Sequence, residues 1–542
     1  MNMVIDGIFA NSDLIVKIAL LLLFFGVTIF VGLYFRKRAA SVNDFVLGGR
    51  NVGPWLTAFS YGATYFSAVV FVGFAGQFGW RFGTSAVWIG LGNAFIGSLM
   101  AWFLLGRRTR VMTNHLKSAT MPDFFGSRYL SSALKIGASI IVFIFLIPYT
   151  ASLYNGLSRL FSMAFGVPFI YCIIAMGVLT AIFVVAGGYI ATAVNDFIQG
   201  SIVLVGISAV IVMVLRENGG FMEAINKLAN LPVETAKVGP TGGPLIESPG
   251  VFTSFLGPDP ISLLGVILLT SLGAWGLPQM VARFYSIKSE KMITKGAIVS
   301  TIFAIVVAGG CYLIGSFGRL YSRMDIYRED GSVIYDAIVP GILSGMGPVM
   351  IGLIIILVFA ASISTLSSLV MASSSTLTLD FLKGHVIKNM SEKKQLIIIR
   401  SLIVVFIILS SLIAIIQIEF RITFIAQLMG ISWGALAGSF LAPFLYGLYW
   451  KRASKLSVWC CFIFSTTLMT LNMLITLKAV PPTLLPAILR SPINAGAFCM
   501  IAGLIIVPLV SAISKAPNKE AIENCFSCYD QQVSVKVKDD LG

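Results

Sequence analysis

Runs of about twenty apolar residues recur along nearly the whole 542-residue chain, and no other feature constrains its fold as strongly. Such a run is long enough to cross the hydrocarbon core as a helix, and in lipid a helix satisfies its own backbone hydrogen bonds. Thirteen candidate spans begin near Asp13, Pro54, Gly83, Leu134, Val167, Ile190, Asp259, Ile293, Met346, Leu396, Ile422, Ser457 and Ile493. Two are long, Met346 to about Phe381 and Ile422 to Tyr449, which predicts tilt, a kink or an extension beyond the membrane. Only 11% of residues are charged, against about 25% in a soluble domain. The expected class is therefore an all-α integral membrane protein in contact with the lipid bilayer.

The formal net charge of +15 does not signal nucleic acid. Positive residues collect in alternate loops: Arg36 to Arg38, Arg107 to Arg110, Lys288/Lys291/Lys295, Lys383/Lys388/Lys393/Lys394 and Lys451/Arg452/Lys455. The intervening loops are poorer in Lys and Arg or acidic, as at Glu217/Glu223/Glu234/Glu247 and Asp325/Glu329/Asp330. This positive-inside bias predicts a multi-pass cell-membrane protein with its N-terminus outside and its C-terminus in the cytoplasm. The start, "MNMVIDGIFANSD", lacks a basic n-region, so the first span is expected to be retained as a signal anchor. The seven cysteines are scattered and predict no disulfide framework. Cys525 and Cys528 have metal or redox spacing without a second pair, and read as ordinary thiols on a flexible cytoplasmic tail. The two histidines, His115 and His385, fall in predicted cytoplasmic loops, which excludes chemistry built on histidine clusters.

Two spans are interrupted. "PWLTAFSYGATYFSAVVFVGFAGQFGW" carries Gly62, and "LLTSLGAWGLPQMVARF" crowds Gly273, Gly276 and Pro278. Such residues free backbone carbonyls, which hydrocarbon tolerates only where protein, water or an ion satisfies them. The broken spans are five apart and so face opposite ways, the pattern of a secondary transporter built from inverted repeats. The stretch "FAASISTLSSLVMASSSTLTLD" adds an unusual density of hydroxyls. Ala361, Ser364, Thr365 and Ser368 share one helix face, and Ser364, Ser367 and Ser368 form an overlapping triad. Two readings stand for them: small residues for close packing, or oxygen ligands for a hard cation. Ser373 to Thr376 read as packing residues. Asp196, inside a predicted span, is a functional candidate by default, or caps a helix near the cytoplasmic end.

"FVLGGRNVGPWLTAFSYGATYFSA", "GGYIATAVNDFIQGS", "AASISTLSS" and "PFLYGLYWKRAS", in that order, resemble the sodium/solute symporter family, with its proline, pantothenate, sialic acid, monocarboxylate and glucose carriers. The resemblance implies a LeuT-type fold of two inverted five-helix repeats, about 54–215 and 259–449. One extra helix would precede them and two would follow, within a single transmembrane domain, 1–515, and a tail, 516–542. It implies a principal sodium site from the carbonyls of Ala63, Phe66 and Ala361 and the hydroxyls of Ser364 and Thr365. It implies a second sodium site, found in some members, from Asp196, Ser364, Ser367 and Ser368. Arg50 matches a basic position at the cytoplasmic entrance, or is one more positive-inside charge. Tyr65, Ser67, Tyr149, Tyr154, Trp275, Gln279 and Gln427 are candidate solute-lining residues, with ordinary packing the rival reading for the aromatics.

The expected function is sodium-coupled import of a small organic solute by alternating access, with Na+ as the only ion and no enzymatic activity. Tyr65 stands where proline-type members often carry an acidic residue, and "GAWGLPQMVARF" looks closer to the pantothenate and monocarboxylate branch. The expectation therefore leans to a monocarboxylate or pantothenate-like solute, with a proline-type amino acid or a sugar or sialic acid as alternatives. A membrane receptor or a sodium channel is the rival from another class. The oligomeric state stays open, a monomer included.

Overall fold

The computed structural model describes residues 2–67, 69–165, 167–231, 245–246, 248–321, 326–327, 333–343, 348–387, 389–420 and 425–529. The chain is helical, with only isolated bridges among the described residues. Among the described residues, ten helices are long and apolar enough to cross a membrane, or eleven when the bent pair Pro260–Gly276 and Pro278–Ser286 counts as one span. The thirteen expected spans are thus not reproduced as thirteen separate helices. The runs from Val167 and Ile190 form two helical segments within Phe169–Glu217 that meet directly at a kink at Gly188 (φ 58°, ψ −154°), with no loop between them. Glycine adopts that conformation without Cβ strain. The runs from Pro54 and Gly83 likewise meet in a helical stretch, Val69–His115, that turns at Gly83 (φ 62°). The described part of the span expected from Ile422 begins at Ile425, since 421–424 lie outside the described residues.

Burial sorts the helices into a centre and a rim. The hydroxyl-rich helix, Pro348–Thr376, and the helix Ile425–Tyr449 are almost wholly enclosed, with 94% of their most apolar windows buried. The corresponding windows of Ile18–Lys37, Glu392–Gln417 and Lys455–Thr476 are only 28–33% buried. Leucines and isoleucines such as Leu22, Ile408 and Ile463 stand exposed along those helices. Water would not tolerate so much apolar surface, but lipid does. Polar side chains instead concentrate inside, among them Asp196, Arg283, Ser364, Thr365 and Ser368.

Glycine lets two central helices touch backbone to backbone. A Cβ on Gly79 would lie 2.0 Å from the Gly315 carbonyl carbon, and one on Gly315 would lie 1.9 Å from the Ala75 carbonyl oxygen. Small residues make such contacts possible in bundles that gain little from hydrophobic burial between helices.

The tail departs from the expected flexible segment. Lys519–Phe526 is a helix docked on the basic end of the bundle, capped by the Asn518 side chain. The Phe526 ring lies 5.0 Å from the Arg128 guanidinium, and the Tyr529 hydroxyl donates to the Arg108 carbonyl at 3.2 Å. Cys525 and Cys528 are buried by that docking. The remainder of the tail, 530–542, and residues 232–244 and 247 of the stretch 216–257 lie outside the described residues.

Gly315→Ala should overpack this contact, costing about 1–3 kcal/mol. A lowered melting midpoint of the detergent-solubilised protein is the expected result. Gly26→Ala, where a Cβ meets open space, should leave the midpoint in place. Equal behaviour of the two variants would contradict the backbone contact.

Candidate functional site

The first broken helix supplies free carbonyls. Helix Pro54–Tyr65 ends where Phe66 turns extended (φ −108°, ψ 93°), and helical structure resumes at Val69. The Phe66 amide still bonds to the Gly62 carbonyl at 3.0 Å. Among the described residues, no backbone N–H donates to the Ala63 carbonyl. The hydroxyl-rich helix crosses at this break. There the Thr365 hydroxyl lies 3.2 Å from each of the Ala63, Thr64 and Ala361 carbonyl oxygens. One hydroxyl proton faces three acceptors, so the group holds an excess of oxygen, the chemistry that suits a hard cation.

Of the five residues expected at the principal ion site, Ala63, Ala361 and Thr365 therefore come together around one point. Phe66 follows directly at the break, its ring stacked on Tyr65 at 4.4 Å. Ser364 faces another partner, donating to Asp196 Oδ1 at 2.6 Å.

Asp196, on the kinked helix, is fully buried. Besides Ser364 it accepts from Ser60, and its Oδ2 lies 3.3 Å from Arg283 Nη2. That nitrogen also donates to Thr64 Oγ1 at 2.8 Å and to Ser368 Oγ at 2.5 Å. The Arg283 side chain is 3% exposed and the Asp196 side chain 0%. The guanidinium carbon sits 5.1 Å from the Tyr189 ring centroid. Ser367 turns away from this group and donates to the Ser364 carbonyl at 2.8 Å. Three of the four residues expected at a second ion position thus gather, Asp196, Ser364 and Ser368, but around an arginine. Sequence reasoning missed Arg283. The signal was present: an ionisable residue just past a break within an apolar run.

Beside the break lies an aromatic group. The Trp433 ring stacks near Tyr65 at 6.1 Å and meets Tyr149 edge-on at 5.9 Å. Tyr65 donates to the Thr270 carbonyl at 2.5 Å, which ties the first broken helix to the second. The Tyr149 hydroxyl, the Trp433 indole N–H and the Ser67 hydroxyl are hydrogen-bonding neighbours at this break, and all three residues are buried. A few polar groups among aromatic rings are the kind of lining that fixes a solute's orientation. The other expected lining residues spread out. Trp275 donates to the Ile96 carbonyl at 2.9 Å. The Tyr154 hydroxyl faces the neighbourhood of Gly177. Gln427 is half-buried on Ile425–Tyr449, near its start. Gln279 lines a cavity of about 40 Å³ with Tyr189, Arg283, Ser368 and Ser375. That volume admits water rather than a solute.

The basic face of the bundle closes below this cavity. Gly48, Gly49 and Arg50 are successive residues with positive φ (59°, 64° and 55°). They turn the Arg50 guanidinium toward the Ser118 carbonyl at 2.5 Å and the Thr113 hydroxyl at 3.3 Å. Burial, then nearby Arg110, pushes the Arg50 pKa down, but a guanidinium remains charged. Val52 pairs with the strand-like end of the second broken helix, donating to the Ser286 carbonyl at 3.1 Å.

The family profile of the sodium:solute symporters matches residues 45–459. The osmoregulated proline transporter OpuE of Bacillus subtilis is 28% identical over 505 residues, covering 92% of this chain and 94% of its own. Sodium/proline symporter 2 of Staphylococcus saprophyticus is 28% identical over 446 residues, covering 80% and 82%. Among solved structures, the substrate-bound, outward-open state of a Na+-coupled sialic acid symporter aligns with a TM-score of 0.68 at 18% identity. It covers 93% of this chain and 99% of the other, a likeness that establishes the LeuT-like, all-helical fold. The protein is a membrane transporter rather than an enzyme, and it belongs to the sodium:solute symporter family.

Proposed function

We propose that the protein imports a small organic solute together with sodium by alternating access, and that an amino acid of the proline type is the first candidate solute. The observation that carries the ion site is the Thr365 hydroxyl, 3.2 Å from carbonyls on both sides of the helix crossing. Sodium bound there would be cargo, held by the Ala63, Phe66 and Ala361 carbonyls with the Thr365 hydroxyl and, after a rotamer change, Ser364. Binding would join the broken helix to the hydroxyl-rich helix. That would favour the state in which the neighbouring aromatic pocket is formed. Ion and solute would then stabilise the same state, which is the thermodynamic content of coupling.

The relatives named proline transporters support the amino-acid reading. The buried donors of Tyr149 and Trp433 suit a carboxylate, and the aromatic faces suit an ammonium group. A monocarboxylate or pantothenate-like solute is the second reading, favoured by Tyr65. Its hydroxyl is engaged with the Thr270 carbonyl, and tyrosine offers no fixed negative charge to an ammonium.

In the membrane, the bent pair makes eleven spans. Reading the stretch kinked at Gly188 as two crossings, and the stretch from Pro54 through the turn at Gly83 as two, raises the number to thirteen. Repeats at about 54–215 and 259–449 then have opposite orientation, the N-terminus lies outside and the tail inside. Arg50 acts as a gate residue on the cytoplasmic side of the cell membrane.

Thr365→Ala should raise the sodium concentration for half-maximal uptake about tenfold, equivalent to about 1.4 kcal/mol, while Thr365→Ser stays near the parent. An unaltered sodium dependence in Thr365→Ala removes the site assignment. For the solute, proteoliposomes with an inward sodium gradient should accumulate radiolabelled L-proline. Accumulation of pyruvate or pantothenate without proline decides for the second reading. Uptake confined to a sugar or sialic acid overturns both.

A further inference from the structure

Arg283 is a charge that the sodium-symport reading does not use. Its Nη2 atom is surrounded by oxygens from three helices: Thr64 at 2.8 Å, Ser368 at 2.5 Å and Asp196 at 3.3 Å. A metal ion shared among the same groups would have to stand where this nitrogen stands. The charge balance is equally closed. Asp196 supplies one negative charge, and the always-protonated guanidinium neutralises it. An added sodium would leave a net positive charge among buried groups. The guanidinium is also held from behind, against the Tyr189 ring at 5.1 Å. The Tyr189 hydroxyl is in turn 2.5 Å from the Ser286 hydroxyl, on Arg283's own helix.

We propose that Arg283 is a tethered cation occupying the position of a second sodium, so that this transporter couples to a single sodium ion, bound at the Thr365 crossing. The proposal rests on the sodium-symport reading for the first ion, but its test compares variants and not the parent's count alone. Arg283 is a positioning residue here, since it touches neither solute nor the proposed coupling ion.

The experiment is equilibrium binding of 22Na+ to the purified detergent-solubilised protein, which requires no knowledge of the solute. The parent should bind one sodium per chain and Arg283→Ala two. Millimolar guanidinium, which matches the group removed from the truncated side chain, should displace the gained ion only. Asp196→Asn should leave the count unchanged, because Asp196 serves the arginine and not a sodium ion. Thr365→Ala should weaken the parent's binding about tenfold. Two sodium ions in the parent, with loss of one in Asp196→Asn, would overturn the proposal. So would a folded Arg283→Ala that gains none. Should Arg283→Ala fail to fold, Asp196→Asn still decides, supported by Arg283→Lys, which should keep the parent's count. A parent that binds no sodium sinks the symport reading. A gain of one ion in Arg283→Ala would then still identify the position Arg283 fills.

Discussion

The buried pair of Asp196 and Arg283 is the interaction on which the arrangement of the central helices depends. Through it the kinked helix, the second broken helix, the first broken helix and the hydroxyl-rich helix meet at one point. Such a pair gains little net stability, because two charges have left water. Removing one partner is another matter, costing about 3–5 kcal/mol by stranding the other. The pair therefore specifies which helices must be neighbours more than it stabilises the bundle.

From that fixed point the geometry of the break follows. Thr64 offers its hydroxyl to Arg283 and its carbonyl to Thr365, so one residue belongs to both polar groups. Ser364 stands one residue before Thr365 on the facing helix and bonds to Asp196. A displacement of the break that draws Ala63 toward or away from Thr365 must also be felt at Arg283. The first broken helix is held at its other end by Val52 and Arg50, and at its middle by Tyr65. The Thr365 crossing, the aromatic group and the Arg50 contacts thus share one helix, so the proposed ion site, solute pocket and gate would be mechanically linked, as alternating access around a fixed site needs.

Much of this was legible in the chain. Apolar length identified the membrane class. Glycine and proline marked both breaks, hydroxyl spacing put Thr365 on one face with Ala361, and the family resemblance paired that face with Ala63. The helix count was less legible, because periodicity does not distinguish a turn from a kink: two helical segments meet at Gly188 with no loop between them. Which way a serine points was not legible at all. Ser364, Ser367 and Ser368 share a predicted face, yet one bonds to a carboxylate, one to its own backbone and one to a guanidinium. Those choices depend on Arg283, 81 or more residues away in sequence. The arginine sits beside Ala282 and Phe284, near a basic loop, where it reads as one more topological charge.

A single coupling ion bears on the solute itself. One sodium carried with a neutral zwitterion draws about 2.3 kcal/mol from a 100 mV potential and about 1.4 from a tenfold sodium gradient. The sum, roughly 3.7 kcal/mol, sustains a solute ratio of a few hundred. A monovalent anion carried with one sodium moves no net charge, and the potential then contributes nothing. Only about a tenfold ratio remains. A second sodium would restore the electrical share, but under the proposed single-ion coupling its position is taken by a guanidinium that cannot leave with the solute. Steep accumulation would then be available to a zwitterion and not to a monocarboxylate. The same arginine that closes the second ion position therefore weighs toward the amino-acid reading, independently of the names of the relatives.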